Sequence, residues 1–290
     1  MATEIRCVWD EKAALGEGTH WSPGQQALYW VDIIGKRLFR YTPESRSKES
    51  WSMPEMIGWV VERDSGGLVA GLKNGIGFLD PTSLVPVMQL DPEPNLPDNR
   101  LNDAKVDPAG RLWFGTMDDA QLRSSGSLYR LDGDMSVSCW DSDYGVTNGP
   151  AFSPDGKTLY HTQSNARTVY AFDLAADGAI SNKRVFVTFN EADGYPDGMT
   201  TDADGGLWIG HWEGWKISRF HPDGRHDRSI EMPVARCSNV TFGGPDLDII
   251  YVSTASVGMA DSEWKGQPQA GGLFEVRAGV KGMTPHYFRG

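Results

Sequence analysis

The chain has 290 residues and a formal net charge of −12, with 39% hydrophobic and 11% aromatic residues, 34 Gly and 17 Pro. That is enough apolar material for a core, too many breakers for an all-helical fold, and too acidic, with no Lys/Arg cluster, for a nucleic-acid or anionic-membrane binder. No run of about 18 apolar residues suits a membrane helix. MATEIRCVWDEK lacks the layout of a signal peptide, and Cys7, Cys139 and Cys237 are too scattered for a disulfide framework, so a cytoplasmic location is expected.

In chain order, a turn followed by a short apolar run recurs six times. The copies are SPGQQALYWVD (22–32), RDSGGLVAGL (63–72), DPAGRLWFGT (107–116), SPDGKTLYHT (153–162), DADGGLWIGHW (202–212) and GPDLDIIYVST (244–254). Their first large aliphatic residues, Leu28, Leu68, Leu112, Leu159, Leu207 and Ile250, stand 40 to 48 residues apart. A second apolar alternation follows each copy: KRLFRY (36–41), NGIGFLD (74–80), GSLYRLD (126–132), RTVYAFD (167–173), WKISRF (215–220) and GGLFEVR (271–277). Such residues suit strands, and the Asp, Asn and Gly groups between them suit hairpin turns. No segment carries a 3.6-residue apolar period long enough for a major helix.

Six units of about 44 residues, each with two evident strands and room for two more, predict an all-β chain. The expected architecture is one six-bladed β-propeller domain over 1–290. A β-sandwich or two smaller β-domains compete with it. The segment EIRCVW (4–9) precedes the first unit and is expected to add a strand to the last blade, closing the ring.

In such a ring the innermost strand of each blade lines the channel and precedes the anchored turn. Ten or eleven residues before the anchors stand Glu17, Gly58, Asn102, Asn148, Asp197 and Asn239. Five of the six blades thus carry a carboxylate or carboxamide at one phase, and a radial repeat aims equivalent positions at one place. Turn capping is the competing role of any one of them alone. Glu17 and Asp197 with the carbonyl oxygen of Asn148 make an all-oxygen set suited to Ca²⁺, Mg²⁺ or Mn²⁺, with Zn²⁺ or Fe²⁺ also open. Without a cation two buried carboxylates repel, and one takes up a proton. Three protein ligands leave coordination positions free, as catalysis needs. Arg100 lies two residues before Asn102, so both are expected to face the channel. Arg100 would hold an oxygen-rich ligand through its planar fork, or serve as a counter-ion to the excess acid.

Other chemistries find no support. The six histidines lack H-x-H and H-E-x-x-H spacing, and there is no G-x-S-x-G elbow or P-loop. Trp208, Trp212 and Trp215 are expected to pack between blades.

The segments LGEG (15–18), NRLNDAKVDPAGRLWFGTM (99–117), TNGPAFSPDGKTLYHT (147–162), YPDGM (195–199), TFGGPDL (241–247) and QAGGLFEV (269–276) resemble the SMP-30/gluconolactonase/regucalcin-like family. The resemblance spans nearly the whole chain. NGPAFSPDGKTLYHT and ISNKRVFV (180–187) look closest to bacterial sugar lactonases acting on aldonolactones such as xylonolactone. The resemblance implies a six-bladed propeller with one divalent metal held by Glu17, Asn148 and Asp197. It also implies Arg100 and Asn102, from an R-x-N-D motif, as sugar contacts. Vertebrate members carry a further substrate-contacting Glu where this chain has Ala120. The nearest acids, Asp118 and Asp119, are the candidates for that task.

The expected activity is metal-dependent hydrolysis of a sugar-acid lactone such as gluconolactone, xylonolactone or arabinonolactone. A metal-associated water attacks a carbonyl polarised by the cation. Asp197 is ligand and base, and Glu17 mainly a ligand. Three alternatives stay open: hydrolysis of aromatic lactones or organophosphates, a non-enzymatic metal-binding regulator, and a protein-interaction platform.

Overall fold

The computed structural model describes residues 4–80 and 82–290. Each repeat unit forms a four-stranded antiparallel sheet, and the six sheets stand around a common channel as the blades of a propeller. The inner strands are Gly16–Ser22, Ile57–Glu62, Asn99–Val106, Thr147–Phe152, Tyr195–Thr201 and Cys237–Gly243. They are buried almost end to end. Each packs beside the inner strand of the next blade, the last against the first. The six anchors open or lie within the second strands, and the second apolar alternations form the third strands. The sixth sheet takes its outer strand from Ile5–Trp9, antiparallel to Leu273–Val276. Among the described residues the helices are one α-helix, Asp261–Gly266, and two 3₁₀ turns, and none is long and apolar enough to cross a membrane.

Apolar layers between blades hold the ring. Trp208 and Ile217 of the fifth blade cluster with Val240, Val252 and Phe274 of the sixth. Trp59 of the second clusters with Leu101 and Phe114 of the third. The anchored turns reuse one device. Asp202 accepts the amides of Asp204 and Gly206, then the indole N–H of Trp208 at 2.9 Å and Arg219 Nε at 2.6 Å. Asp107 does the same with Ala109, Arg111 and Trp113. A buried carboxylate is tolerable only when its lone pairs are filled this way.

Every inner strand carries a register irregularity at the polar phase. The shifts fall between Glu17 and His20, Ile57 and Trp59, Leu101 and Ala104, Asn148 and Ala151, Pro196 and Met199, and Cys237 and Asn239. A bulge breaks the in-out alternation and re-aims side chains, and at this phase Glu17, Asn102, Asn148 and Asp197 line one end of the channel. Gly58 is the one position without a polar side chain for a steric reason. A Cβ there would stand 2.8 Å from the carbonyl oxygens of both Leu101 and Asn102.

The C-terminal segment crosses one end of the channel. Gly282 N–H donates to Leu247 O, Phe288 N–H to Glu62 O and Arg289 N–H to Gly110 O, which ties the sixth blade to the second and third. Between this strap and the inner strands lies a small chamber of about 80 Å³, lined by Asp103, Lys105, Thr200, Thr241 and His286 among others.

Asp202→Ala removes the anion that Trp208, Arg219 and two turn amides share. It is expected to cost about 3 kcal/mol of unfolding free energy by loss of a buried ion pair. Denaturant unfolding measures this, and a loss under about 1 kcal/mol contradicts the role given to the device.

Candidate metal centre and substrate cleft

At the end of the channel opposite the strap lies a cleft of about 570 Å³. Glu17, Arg100, Asn102, Asp119, Asn148 and Asp197 all line it, contributed by four blades. Leu15, Ile33, Met56, Val146 and Trp212 supply apolar wall, with Gln121 and Asn165 as further polar groups. Trp212 therefore differs from Trp208: the latter is wholly buried between blades, while the former faces the cleft.

Of the two acids after the GTM segment, only Asp119 reaches the cleft. It accepts from Arg100 Nε at 3.0 Å and lies 3.7 Å from Lys73 Nζ. Asp118 is turned away from it. Its oxygens accept the amides of Leu122 and Arg123 and the Arg123 guanidinium at 2.9 Å, so it shapes the following loop. Asp118 closes its strand, Leu112–Asp118, and Asp119 opens the turn that follows, where the chain changes direction.

Arg100 is buried and donates from Nη1 to Asn102 Oδ1 at 2.5 Å, and Asn102 Nδ2 donates to Asn148 Oδ1 at 3.0 Å. Asn239 does not line the cleft. It lies deeper, accepting from the Thr19 hydroxyl and donating to Asp103 Oδ2 at 3.1 Å.

Asp103, which lines the chamber beneath the cleft, is an acid near the site that the repeat phase did not select. It is 2% exposed and accepts from Ala104 N, Gly149 N and Asn239 Nδ2. The signal was present in the R-x-N-D motif, but strand alternation assigns Asp103 to the face opposite Asn102. The bulge between Leu101 and Ala104 cancels that alternation.

Burial and mutual repulsion dominate the electrostatics. Burial, then the charge of Asp103, pushes Glu17 up to about 8. Burial, then Glu17 and Asp103, holds Asp197 well above the usual carboxylate range. Burial raises Asp103 too, opposed by the charge of Lys105 and by its three donors. The Arg100 guanidinium is pulled down by burial and supported by Asp119. Glu17 and Asp197 are thus anions without sufficient partners. With the amide oxygen of Asn148 beside them they offer hard oxygen donors, and this chemistry fits a divalent cation. Among the described residues no three His, Cys, Asp or Glu side chains gather in metal-binding geometry, so any such centre depends on the amide.

A family model described as SMP-30/Gluconolactonase/LRE-like region matches residues 15–256. The 6-deoxy-6-sulfogluconolactonase of Pseudomonas putida is 32% identical, covering 100% of both chains. The L-arabinolactonase of Azospirillum brasilense is 34% identical over 100% of this chain and 97% of its own. Among solved structures, a calcium-binding regucalcin from Agrobacterium tumefaciens superposes with a TM-score of 0.95 at 27% identity, covering 99% of this chain and 97% of that one.

The raised carboxyl of Glu17 has a signed consequence. The folded, metal-free chain keeps a proton that the unfolded chain releases near 4.5, so stability is fullest below that value and falls as pH climbs toward about 8. In chelator, the unfolding temperature is expected to drop by several degrees across this window, and Glu17→Gln to flatten the drop. An unchanged slope in the variant contradicts the assignment.

Proposed function

Since the chain belongs to the SMP-30/gluconolactonase/LRE-like family, we propose that it is a metal-dependent lactonase opening the cyclic ester of a sugar acid to the free aldonic acid. Two relatives named for such lactones match it along its whole length, which supports this substrate class. The observation that carries the mechanism is the meeting of Glu17 and Asp197, two underpaired buried carboxylates, with Asn148 in one cleft beside Arg100. Gluconolactone, xylonolactone and arabinonolactone are the substrates to test first.

Glu17, Asn148 and Asp197 would hold the cation. When bound, a divalent ion supplies Lewis-acid polarisation of a carbonyl and lowers the pKa of water. Asp197 would accept the proton of the attacking water, as a carboxylate kept deprotonated by the cation it helps to hold and placed on the cleft wall. Glu17 stays a ligand. Arg100 and Asn102 orient the sugar oxygens. Asp119, partly exposed and anchored by Arg100, accepts from ring hydroxyls. Met56, Ile33 and Trp212 give the ring carbons an apolar wall. The net charge of −12 favours departure of the anionic product. All-oxygen donors favour calcium, magnesium or manganese over zinc and iron. The likeness to a calcium-binding regucalcin keeps calcium foremost, and it also supports a second reading, calcium binding as the chain's role in its own right.

Lactone opening followed by acid release, after chelation and with metals restored singly, separates the two. Activity is expected to vanish with chelator and return with at least one cation; opening at the uncatalysed rate under every condition contradicts the lactonase. Asp197→Asn is expected to lower kcat by about 10³-fold or more, combining loss of a base and of a ligand charge. Near-normal turnover with the fold intact excludes Asp197 as the base.

A further inference from the structure

We infer that Ser164 is a positioning residue that fixes which way the amide of Asn148 faces. Ser164 follows the second strand of the fourth blade, is 7% exposed and stands at the edge of the cleft. Its hydroxyl donates to the carbonyl oxygen of Pro196, the residue before Asp197, at 2.7 Å. A serine hydroxyl has one hydrogen. With that hydrogen committed to a carbonyl that can only accept, Ser164 Oγ can only accept from Asn148. Asn148 accordingly turns Nδ2 to Ser164, at 2.8 Å, and Oδ1 the other way.

The same polarity is reached from the opposite end. Arg100 can only donate, so Asn102 must offer Oδ1 to it and keep Nδ2 for Thr147 O and Asn148. The atom of Asn148 that meets Asn102 is therefore an oxygen. Guanidinium, two amides, a hydroxyl and a carbonyl form one chain in which every donor and acceptor is fixed by its ends. A flipped Asn148 would set donor against donor at Asn102 and leave Oδ1 facing an oxygen that has no hydrogen to give. Oδ1 accepts one hydrogen bond and retains a second lone pair, the one a cation would use. The chain also pins the Asn148 amide to the backbone beside Asp197, so two candidate ligands from neighbouring blades are held as a unit.

This inference rests on the metal centre proposed above, and its test reads metal binding rather than turnover. Mn²⁺ is titrated into chelator-treated protein and the free ion followed by electron paramagnetic resonance. Ser164→Ala is expected to weaken binding by about tenfold or more, the usual scale for loss of an outer partner of a ligand, and Ser164→Thr to stay within about threefold of the parent. In an Asn148→Asp background both oxygens are acceptors and facing no longer matters, so adding Ser164→Ala is expected to cost nothing further. Equal affinity of Ser164→Ala and parent overturns the inference while leaving the metal centre standing. So does the same loss in both backgrounds, or an equal loss in Ala and Thr variants. A parent protein that takes up no Mn²⁺ overturns both.

Discussion

Three carboxylates from three blades, Glu17, Asp103 and Asp197, are forced together at the hub of this molecule, where little water reaches them. Like charges in such a medium repel strongly, and each anion must find a cation, a proton or several N–H donors. Asp103 finds donors: two backbone amides, the Asn239 amide, and the charge of nearby Lys105. Glu17 accepts the backbone N–H of Gly18, and burial, then the charge of Asp103, favours its neutral form. These donors oppose, without cancelling, the burial that raises Asp103, and Glu17 and Asp197 have fewer of them. Arg100 relieves part of the repulsion, but Asp119 and Asn102 already engage that guanidinium.

The repeat explains how one chain builds such a place. Six similar inner strands, each bulged at the same phase, deliver six positions to the axis at no extra cost in design. Divergence then divides the work. Gly58 gives up its side chain because the neighbouring backbone is too close. Asn239 ties Thr19 to Asp103 beneath the centre. Gly198 makes room for that tie, since a Cβ there would lie 2.2 Å from Asn239 Nδ2. Asn102 passes hydrogen-bond polarity from Arg100 to Asn148. Glu17, Asn148 and Asp197 remain as the ligands proposed for an ion. A propeller used only as a docking platform would have no need to spend buried polar groups in this way.

Much of this was legible in the sequence, and the limits have physical causes. The second and third strands announce themselves through alternating apolar residues between Asx-type turns, which is why the six anchors were sufficient to count blades. The outer strands carry no such mark. SKESWS (47–52) and HDRSIE (226–231) pack one face at most, so the sequence shows room for these strands without marking them. The ring of polar residues was visible because a radial repeat turns sequence phase into spatial convergence. Single-residue choices were not. Period-two reasoning serves a regular strand, and it fails at a bulge, so Asp103 was passed over. It also offers no way to choose between Asp118 and Asp119 without knowing which of them faces the cleft. Ser164 lies in a loop between strands, outside every repeat signal, and only coordinates bring it to Asn148.

The central claim is that burial and mutual repulsion raise the proton affinity of Glu17 and Asp197 in the metal-free chain, and that a cation entering between them displaces protons. Calorimetric titration of chelator-treated protein with a divalent ion near pH 7, repeated in buffers of different ionisation heat, counts the protons that leave as the ion enters. The account predicts one ion bound per chain with release of about one proton or more, since ligands must be deprotonated to bind. Binding with no proton release, or no binding at all, would contradict it.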